Sequence, residues 1–161
     1  MDQGALIGVC LLLACACWTD MRTMRIPNAL NVSFAAAGLL YQWISRGYDG
    51  LIVALMGAVA GMAPLYVLFL LRGMGGGDVK WFGAFGIWMG APPTLLLMMY
   101  AIVFAGAIAA ALVLLRLPGL NKLGGRLKWP WGTHPVSEVR GARFPFMLAV
   151  APSFMMLLGQ G

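Results

Sequence analysis

Long apolar runs alternate with short polar segments along the whole chain. The run 81–91 is too short to cross about 30 Å of hydrocarbon at about 1.5 Å per residue, so we expect its helix to begin near Gly76 or Gly77. The pattern predicts an all-α membrane protein with six transmembrane helices, at about 5–20, 29–44, 51–71, 77–91, 94–115 and 144–159.

The composition indicates the same class of protein. Of the 161 residues, 61% are hydrophobic and 10% are charged, whereas a soluble domain is about 25% charged. We expect a single transmembrane domain over residues 1–161, with a basic cytoplasmic loop at 116–143. The first apolar run contains three cysteines, Cys10, Cys15 and Cys17. We interpret them as packing residues rather than as a disulfide or a metal-binding pair.

The distribution of lysine and arginine predicts the orientation in the membrane. If the N-terminus is outside, ten of the eleven basic residues lie in cytoplasmic loops and only Arg46 lies outside. Both termini are then outside, and we expect a multi-pass protein of the cytoplasmic (inner) membrane. Topology and attraction to anionic lipid account for the net charge of +6, so we expect no nucleic-acid partner.

Two aspartates lie where apolar runs meet basic loops. Asp20 ends the first run and Asp78 begins the fourth, and the predicted topology puts both on the cytoplasmic side. A carboxylate at the edge of a bilayer is costly, which makes it a functional candidate. Two close carboxylates do not ionise together readily, so one protonated and one ionised acid can hydrolyse a peptide bond between them. The pair requires that the first and fourth helices are neighbours.

Glycines crowd the segment before Asp78. Gly73, Gly75, Gly76 and Gly77 make up four of the five residues 73–77. Glycine permits an irregular backbone and the close approach of another chain, and a protease needs its substrate in an extended conformation. The segment therefore predicts a place where an extended substrate reaches the acid, with a flexible turn between two spans as the alternative.

These motifs resemble those of a known family. The segment GGGDVK at 75–80 matches the GxGD motif of intramembrane aspartyl proteases, in the GxGDxK form of the type IV prepilin peptidases. The segment DMRTMRIPN at 20–28 is similar to that family's other aspartate, which is followed by an arginine-bearing loop and Ile-Pro-Asn. The segment FPF at 144–146 resembles the Pro-aromatic pair that opens the family's last span.

The resemblance implies an aspartic endopeptidase that needs no cofactor. Asp20 and Asp78 would activate water, and 75–77 would admit the substrate, a prepilin-like protein with a hydrophobic N-terminal helix and a short basic leader. Larger members carry a cysteine-bearing insertion after the first span that is linked to N-methylation. The loop here is short and lacks cysteine. The chain looks like the small form, similar to tight-adherence (Flp) pilus and archaeal preflagellin peptidases, and we expect no N-methyltransferase activity.

Other polar residues near the motifs have simpler explanations as well as supporting roles. Lys80 either holds Asp78 or reaches the lipid interface, and Arg25 is explained by topology and lipid contact. Pro27 and Asn28 are expected to begin the second helix, and Pro145 the last. His134 and Glu138 form too small a ligand set for a metal site, so no metal is expected.

Two other functions compete with this hypothesis. A small transporter, or a membrane subunit of a secretion machine, would use Asp20 and Asp78 as ion or proton sites without cleaving peptides. A presenilin-like protease would share the GxGD motif, but a Tyr-Asp pair is typical of its partner helix and Thr19 precedes Asp20 here.

Overall fold

The computed structural model describes residues 2–71, 73–114 and 145–160. These residues form helices and no strands, which confirms the all-α prediction. The helices are α1 (Gln3–Thr23), α2 (Asn28–Leu70), α3 (Gly76–Met89), α4 (Ala91–Leu114) and α5 (Met147–Leu158). The basic loop predicted at 116–143, with His134 and Glu138, lies outside the described residues.

Within the described part of the chain, three helices are long and apolar enough to cross a membrane, namely α1, α2 and α4. Their outer surfaces carry exposed large apolar side chains, which suit contact with lipid: Ile7, Leu11, Val59, Met99 and Val103 are examples. The helix α5 is apolar but shorter, with 12 residues. The described residues are therefore those of a membrane protein.

The long helix α2 reverses its direction at Gly47. Its 43 residues would make a straight helix about 65 Å long, yet both of its halves pack on the short helix α3. The first half runs parallel to α3, with Asn31 bonded to Gly77 and Gln42 bonded to Trp88. Gly47 has φ 60° and ψ −138°, a left-handed conformation that glycine adopts without steric cost. The two halves cover the apolar runs 29–44 and 51–71.

The second half of α2 packs on α3 through glycines on both helices. A Cβ on Gly57 would overlap the Gly86 carbonyl, a Cβ on Gly86 would overlap that of Gly57, and a Cβ on Gly61 would overlap the Phe82 carbonyl. These contacts pair increasing numbers on α2 with decreasing numbers on α3, so this half runs antiparallel. The GxxxG spacing of Gly57 and Gly61 is typical of close helix packing in membranes.

The helix α3 is the centre of the fold. Every residue from 81 to 88 is buried, and α1, α2 and α4 all contact this helix. The ring of Phe82 lies 6.3 Å from that of Phe146, and the ring of Phe85 lies 6.1 Å from that of Phe154. A helix of 14 residues is about 21 Å long, and its surroundings are protein rather than lipid.

The turn between α3 and α4 lies at Gly90, slightly before residues 92–93, which separate the fourth and fifth predicted spans. Gly90 has φ 79°, and α4 begins at Ala91 with both prolines in its first turn. Proline is tolerated there because the first amide groups of a helix have no partner within it.

Because the Gly57–Gly86 contact leaves no room for a side chain, Gly86→Ala is expected to lower the stability of the protein by about 1–3 kcal/mol. The matched control is Gly106→Ala on α4, where a Cβ would meet nothing within 4 Å. Thermal unfolding in detergent micelles measures both variants. Equal midpoints for Gly86→Ala and Gly106→Ala would contradict the close packing of α2 on α3.

Candidate active site

The carboxylate of Asp20 is held between the end of α1 and the start of α5. Its side chain is 4% exposed, and Oδ2 accepts a hydrogen bond of 3.0 Å from the backbone N–H of Met147. Met147 is the first residue of α5, so the carboxylate satisfies one of the unpaired amides of that helix and faces the positive end of its dipole. Pro145, just before, is buried.

The helix α1 ends one turn after Asp20, at Thr23. Met24 adopts a left-handed conformation with φ 51°, and its N–H donates to the carbonyl of Asp20 over 2.8 Å. The chain then turns into the segment 25–27 that leads to α2. Arg25 is exposed and its carbonyl accepts a hydrogen bond of 3.1 Å from the hydroxyl of Thr23.

Asp78 lies in the first turn of α3, where Gly75 is the N-cap. The N–H of Asp78 donates to the Gly75 carbonyl over 3.2 Å, and a Cβ on Gly75 would come within 3.0 Å of Asp78 Oδ2. The carboxylate therefore lies over the Gly75 backbone, in space that a side chain would occupy. A Cβ on Gly76 would lie 3.3 Å from the ring of Phe69 at the end of α2.

The two sequence motifs pack against each other. A Cβ on Gly77 would lie 3.2 Å from the carbonyl of Ile26, so this glycine lets the loop after α1 approach the start of α3. Nζ of Lys80 donates to Oδ1 of Asn28 over 2.9 Å. The segment that carries Asp20 and the segment that carries Asp78 thus form one surface.

The packing of α1 on α3 brings the two acids to the same level. A Cβ on Gly8 would overlap the Trp88 ring, which fixes the antiparallel register at the far end of both helices. From there Asp20 lies about 18 Å along α1 and Asp78 about 15 Å along α3. The two carboxylates therefore lie at the same end of the α1–α3 pair, beside the contact between Gly77 and the Ile26 carbonyl.

Several predicted supporting residues have defined places. Pro27 is extended and immediately precedes α2, which begins at Asn28 as predicted. Lys80 is exposed and contacts Asn28. Pro145 helps begin α5, since its carbonyl accepts from the N–H of Leu148 over 3.1 Å.

Sequence reasoning missed two polar side chains of α2, Asn31 and Gln42, which are 3% and 4% exposed. Nδ2 of Asn31 donates to the Gly77 carbonyl over 3.1 Å, at the site, and Nε2 of Gln42 donates to the Trp88 carbonyl over 3.0 Å, at the far end of α3. Both stand as isolated amides in an apolar run, and a polar residue inside a predicted span is a signal for this kind of contact.

A cavity of about 200 Å³ lies at the end of the bundle opposite to the acids, lined by residues that include Asp2, Gln42, Arg46 and Trp88. None of the predicted site residues lines it. The described residues also contain no group of three His, Cys, Asp or Glu side chains arranged to hold a metal ion.

Comparison with known proteins identifies the family. A family profile described as the type IV leader peptidase family matches residues 7–110. The chain belongs to the type IV leader peptidase family. The resemblance of the motifs to this family is thereby confirmed, and the matched range contains both Asp20 and Asp78.

Individual relatives carry the same kind of name. Proteins named prepilin leader peptidase/N-methyltransferase are 38% identical over 104 residues in Klebsiella pneumoniae and 32% identical over 128 residues in Pectobacterium carotovorum subsp. carotovorum. These alignments cover 58% and 74% of this chain but 45% and 43% of the relatives. The chain thus spans less than half the length of these curated relatives. No solved structure matches it.

The antiparallel register predicts that cysteines at positions 20 and 78 can be joined by a short bifunctional thiol reagent. The substitutions Asp20→Cys and Asp78→Cys are placed in a chain whose Cys10, Cys15 and Cys17 are replaced by alanine. Asp2→Cys with Asp78→Cys is the control, because Asp2 caps the other end of α1. A gel-mobility shift is expected for the first pair alone, and equal cross-linking of both pairs would contradict the register.

Proposed function

We propose that this chain is an intramembrane aspartyl endopeptidase that removes the short basic leader of prepilin-like substrates at the cytoplasmic face of the membrane. The observation that carries the proposal is the packing of the segment after Asp20 on the segment around Asp78. A Cβ on Gly77 would lie 3.2 Å from the carbonyl of Ile26, and Nζ of Lys80 donates to Asn28 over 2.9 Å. Membership of the leader peptidase family supports the same activity.

The chemistry requires one proton shared by two carboxylates. The ionised carboxylate takes a proton from water as the water oxygen forms a bond to the scissile carbonyl carbon. The protonated acid first hydrogen-bonds the carbonyl oxygen, and a proton reaches the leaving amine as the carbon–nitrogen bond breaks. Asp20 and Asp78 supply both groups, and no step requires a metal or a cofactor.

The substrate proposed is a prepilin-like protein with a hydrophobic N-terminal helix. Its scissile bond must leave helical hydrogen bonding before water can attack it. The segment 75–77 provides exposed or half-exposed backbone beside Asp78, with which an extended chain can pair. Relatives in the family are named N-methyltransferases as well, but the loop between α1 and α2 has no cysteine, and we expect leader cleavage without methylation.

The proposed topology has six spans in the inner membrane, with both termini outside. The reversal at Gly47 supports it, because each half of α2 is close to the ~20 residues that one span needs. The helix α3 is shorter than one span. Because other helices surround it, its length does not have to match the thickness of the lipid. Asp20, Asp78 and the starts of α2, α3 and α5 then share the cytoplasmic end.

Replacing either acid with its isosteric amide is expected to abolish leader removal. Asp20→Asn and Asp78→Asn should each lower the cleavage rate by about 10²–10⁴-fold, because general acid–base catalysis needs both groups. Asp49→Asn, at an exposed acid of α2, is the matched control.

The measurement co-expresses each variant with a prepilin at equal membrane levels and follows leader loss by mass. The expected result is leader cleavage by wild type and by Asp49→Asn, and none by Asp20→Asn or Asp78→Asn. Retained cleavage in either site variant would exclude the two-aspartate mechanism. A wild-type chain that leaves several prepilins uncut would favour the transporter or secretion-subunit alternative.

Displacing the Asp78 carboxylate is expected to reduce activity without unfolding the protein. Gly75→Ala adds a Cβ 3.0 Å from Asp78 Oδ2 while the backbone angles of Gly75 suit any residue, and a misplaced catalytic group costs roughly 10–100-fold in rate. Gly73→Ala is the control in the same loop, where the Cβ would lie 3.4 Å from the Leu68 carbonyl. Equal cleavage rates at equal thermal midpoints would show that the Gly75 contact is unimportant.

A further inference from the structure

One polar group at the site is left over by the proposed chemistry. The amide of Asn31, in the first turn of α2, is 3% exposed, and its Nδ2 donates to the Gly77 carbonyl over 3.1 Å. Its Oδ1 is buried and has no hydrogen-bond partner among the described residues. The side-chain nitrogen of Asn31 therefore has a protein partner, whereas its side-chain oxygen has none among the described residues.

The orientation of this amide follows from its partner. The Gly77 carbonyl only accepts hydrogen bonds, so the nitrogen of Asn31 must face it and the oxygen must point away. Buried acceptors in folded proteins are nearly always paired, because burial removes the water that would otherwise bond to them. An unpaired Oδ1 is therefore a place where a donor is expected.

The position of Asn31 ties this acceptor to Asp78. The amide contacts the carbonyl of Gly77, whose peptide bond leads directly to Asp78. One turn earlier on the same face of α2, Asn28 accepts from Lys80, so both of these amides contact the N-terminal part of α3. One other buried side-chain atom lacks a partner in the described part of the chain, Nε1 of Trp81, which is a donor one turn beyond Asp78. Of these two side chains, it is Asn31 that bonds to the glycine segment.

We propose that Oδ1 of Asn31 accepts a hydrogen bond from a main-chain N–H of the extended substrate beside the scissile bond. An extended peptide presents unpaired N–H groups that a helix would hide, and a carboxamide oxygen is a suitable acceptor for one of them. Asn31 is then a substrate-binding residue that selects an unwound chain and places it next to Asp78. This inference rests on the proposed peptidase function.

The test combines a variant of Asn31 with substrates that lack single N–H groups. A synthetic peptide with a basic leader and a hydrophobic helix is made in a series, each member carrying one ester in place of one amide near, but not at, the cleavage site. The full-length protein in detergent micelles is assayed as wild type and as the near-isosteric Asn31→Leu. Asn31→Ser serves in its place where the leucine variant unfolds early.

The control is Gln42→Met, which removes the other buried amide of α2. Gln42 bonds to the Ile87 and Trp88 carbonyls at the far end of α3, so its loss reports a purely structural effect. In wild type and in Gln42→Met, one ester position is expected to lower kcat/KM about tenfold, the effect of one lost hydrogen bond. In Asn31→Leu the all-amide peptide is expected to show a similar loss, mainly in KM, with no further loss at that ester position.

Each other outcome counts against a specific statement. Ester effects that are the same in wild type and Asn31→Leu would overturn the role of Asn31 and leave it a structural residue that bonds a buried water. The absence of any sensitive ester position in wild type would overturn it too, while ordinary cleavage of the all-amide peptide would leave the peptidase function intact. Failure of wild type to cleave the all-amide peptide would overturn the proposed function, and this inference with it.

Discussion

Close contact between helix backbones is the constraint on which this structure depends. In lipid, apolar side chains gain little from packing against each other rather than against acyl chains, so helices associate through van der Waals contact and hydrogen bonds. Gly57 and Gly86 allow such contact between α2 and α3, and Gly8 makes room on α1 for the Trp88 ring of α3. The central position of α3 follows from these small residues.

The same packing explains how two acids are accommodated among largely apolar helices. The hydrogen bond from the first amide of α5 offsets part of the free-energy cost of burying the Asp20 carboxylate. Asp78 lies at the positive end of the α3 dipole. Although Asp20 and Asp78 are far apart in sequence, the antiparallel packing of α1 on α3 places them at the same end of the two helices. Gly75 leaves room for the carboxylate of Asp78, and Gly77 leaves room for the backbone of Ile26. The glycines are therefore needed for packing as well as for the substrate access that the sequence suggests.

Much of this arrangement could be predicted from the apolar runs and two motifs. The described helices begin and end within a few residues of the apolar runs, and the reversal at Gly47 lies between the runs 29–44 and 51–71. The start of α4 was missed by three residues, because a pair of prolines indicates a turn equally well as the first turn of a helix. The catalytic role of Asp20 and Asp78 remains a proposal.

The contacts between residues of different helices could not be predicted from the sequence. Nothing in an apolar run shows that Asn31 meets Gly77 while Gln42 meets Trp88, since both amides occur in similar surroundings along one helix. The Met147 amide carries no side-chain signal at all. Its role depends on where α5 begins relative to the end of α1, which is a property of the folded chain.

The bond between Asp20 and Met147 has a consequence for biosynthesis. The two residues are 127 positions apart, so the ribosome completes α1, α2, α3 and α4 before the amide that orients Asp20 exists. Both aspartates are synthesised early, but the surroundings of Asp20 are complete only when α5 has docked against the end of α1. A nascent chain therefore carries its acids in an unfinished site, and the order of synthesis itself delays the assembly of the pair.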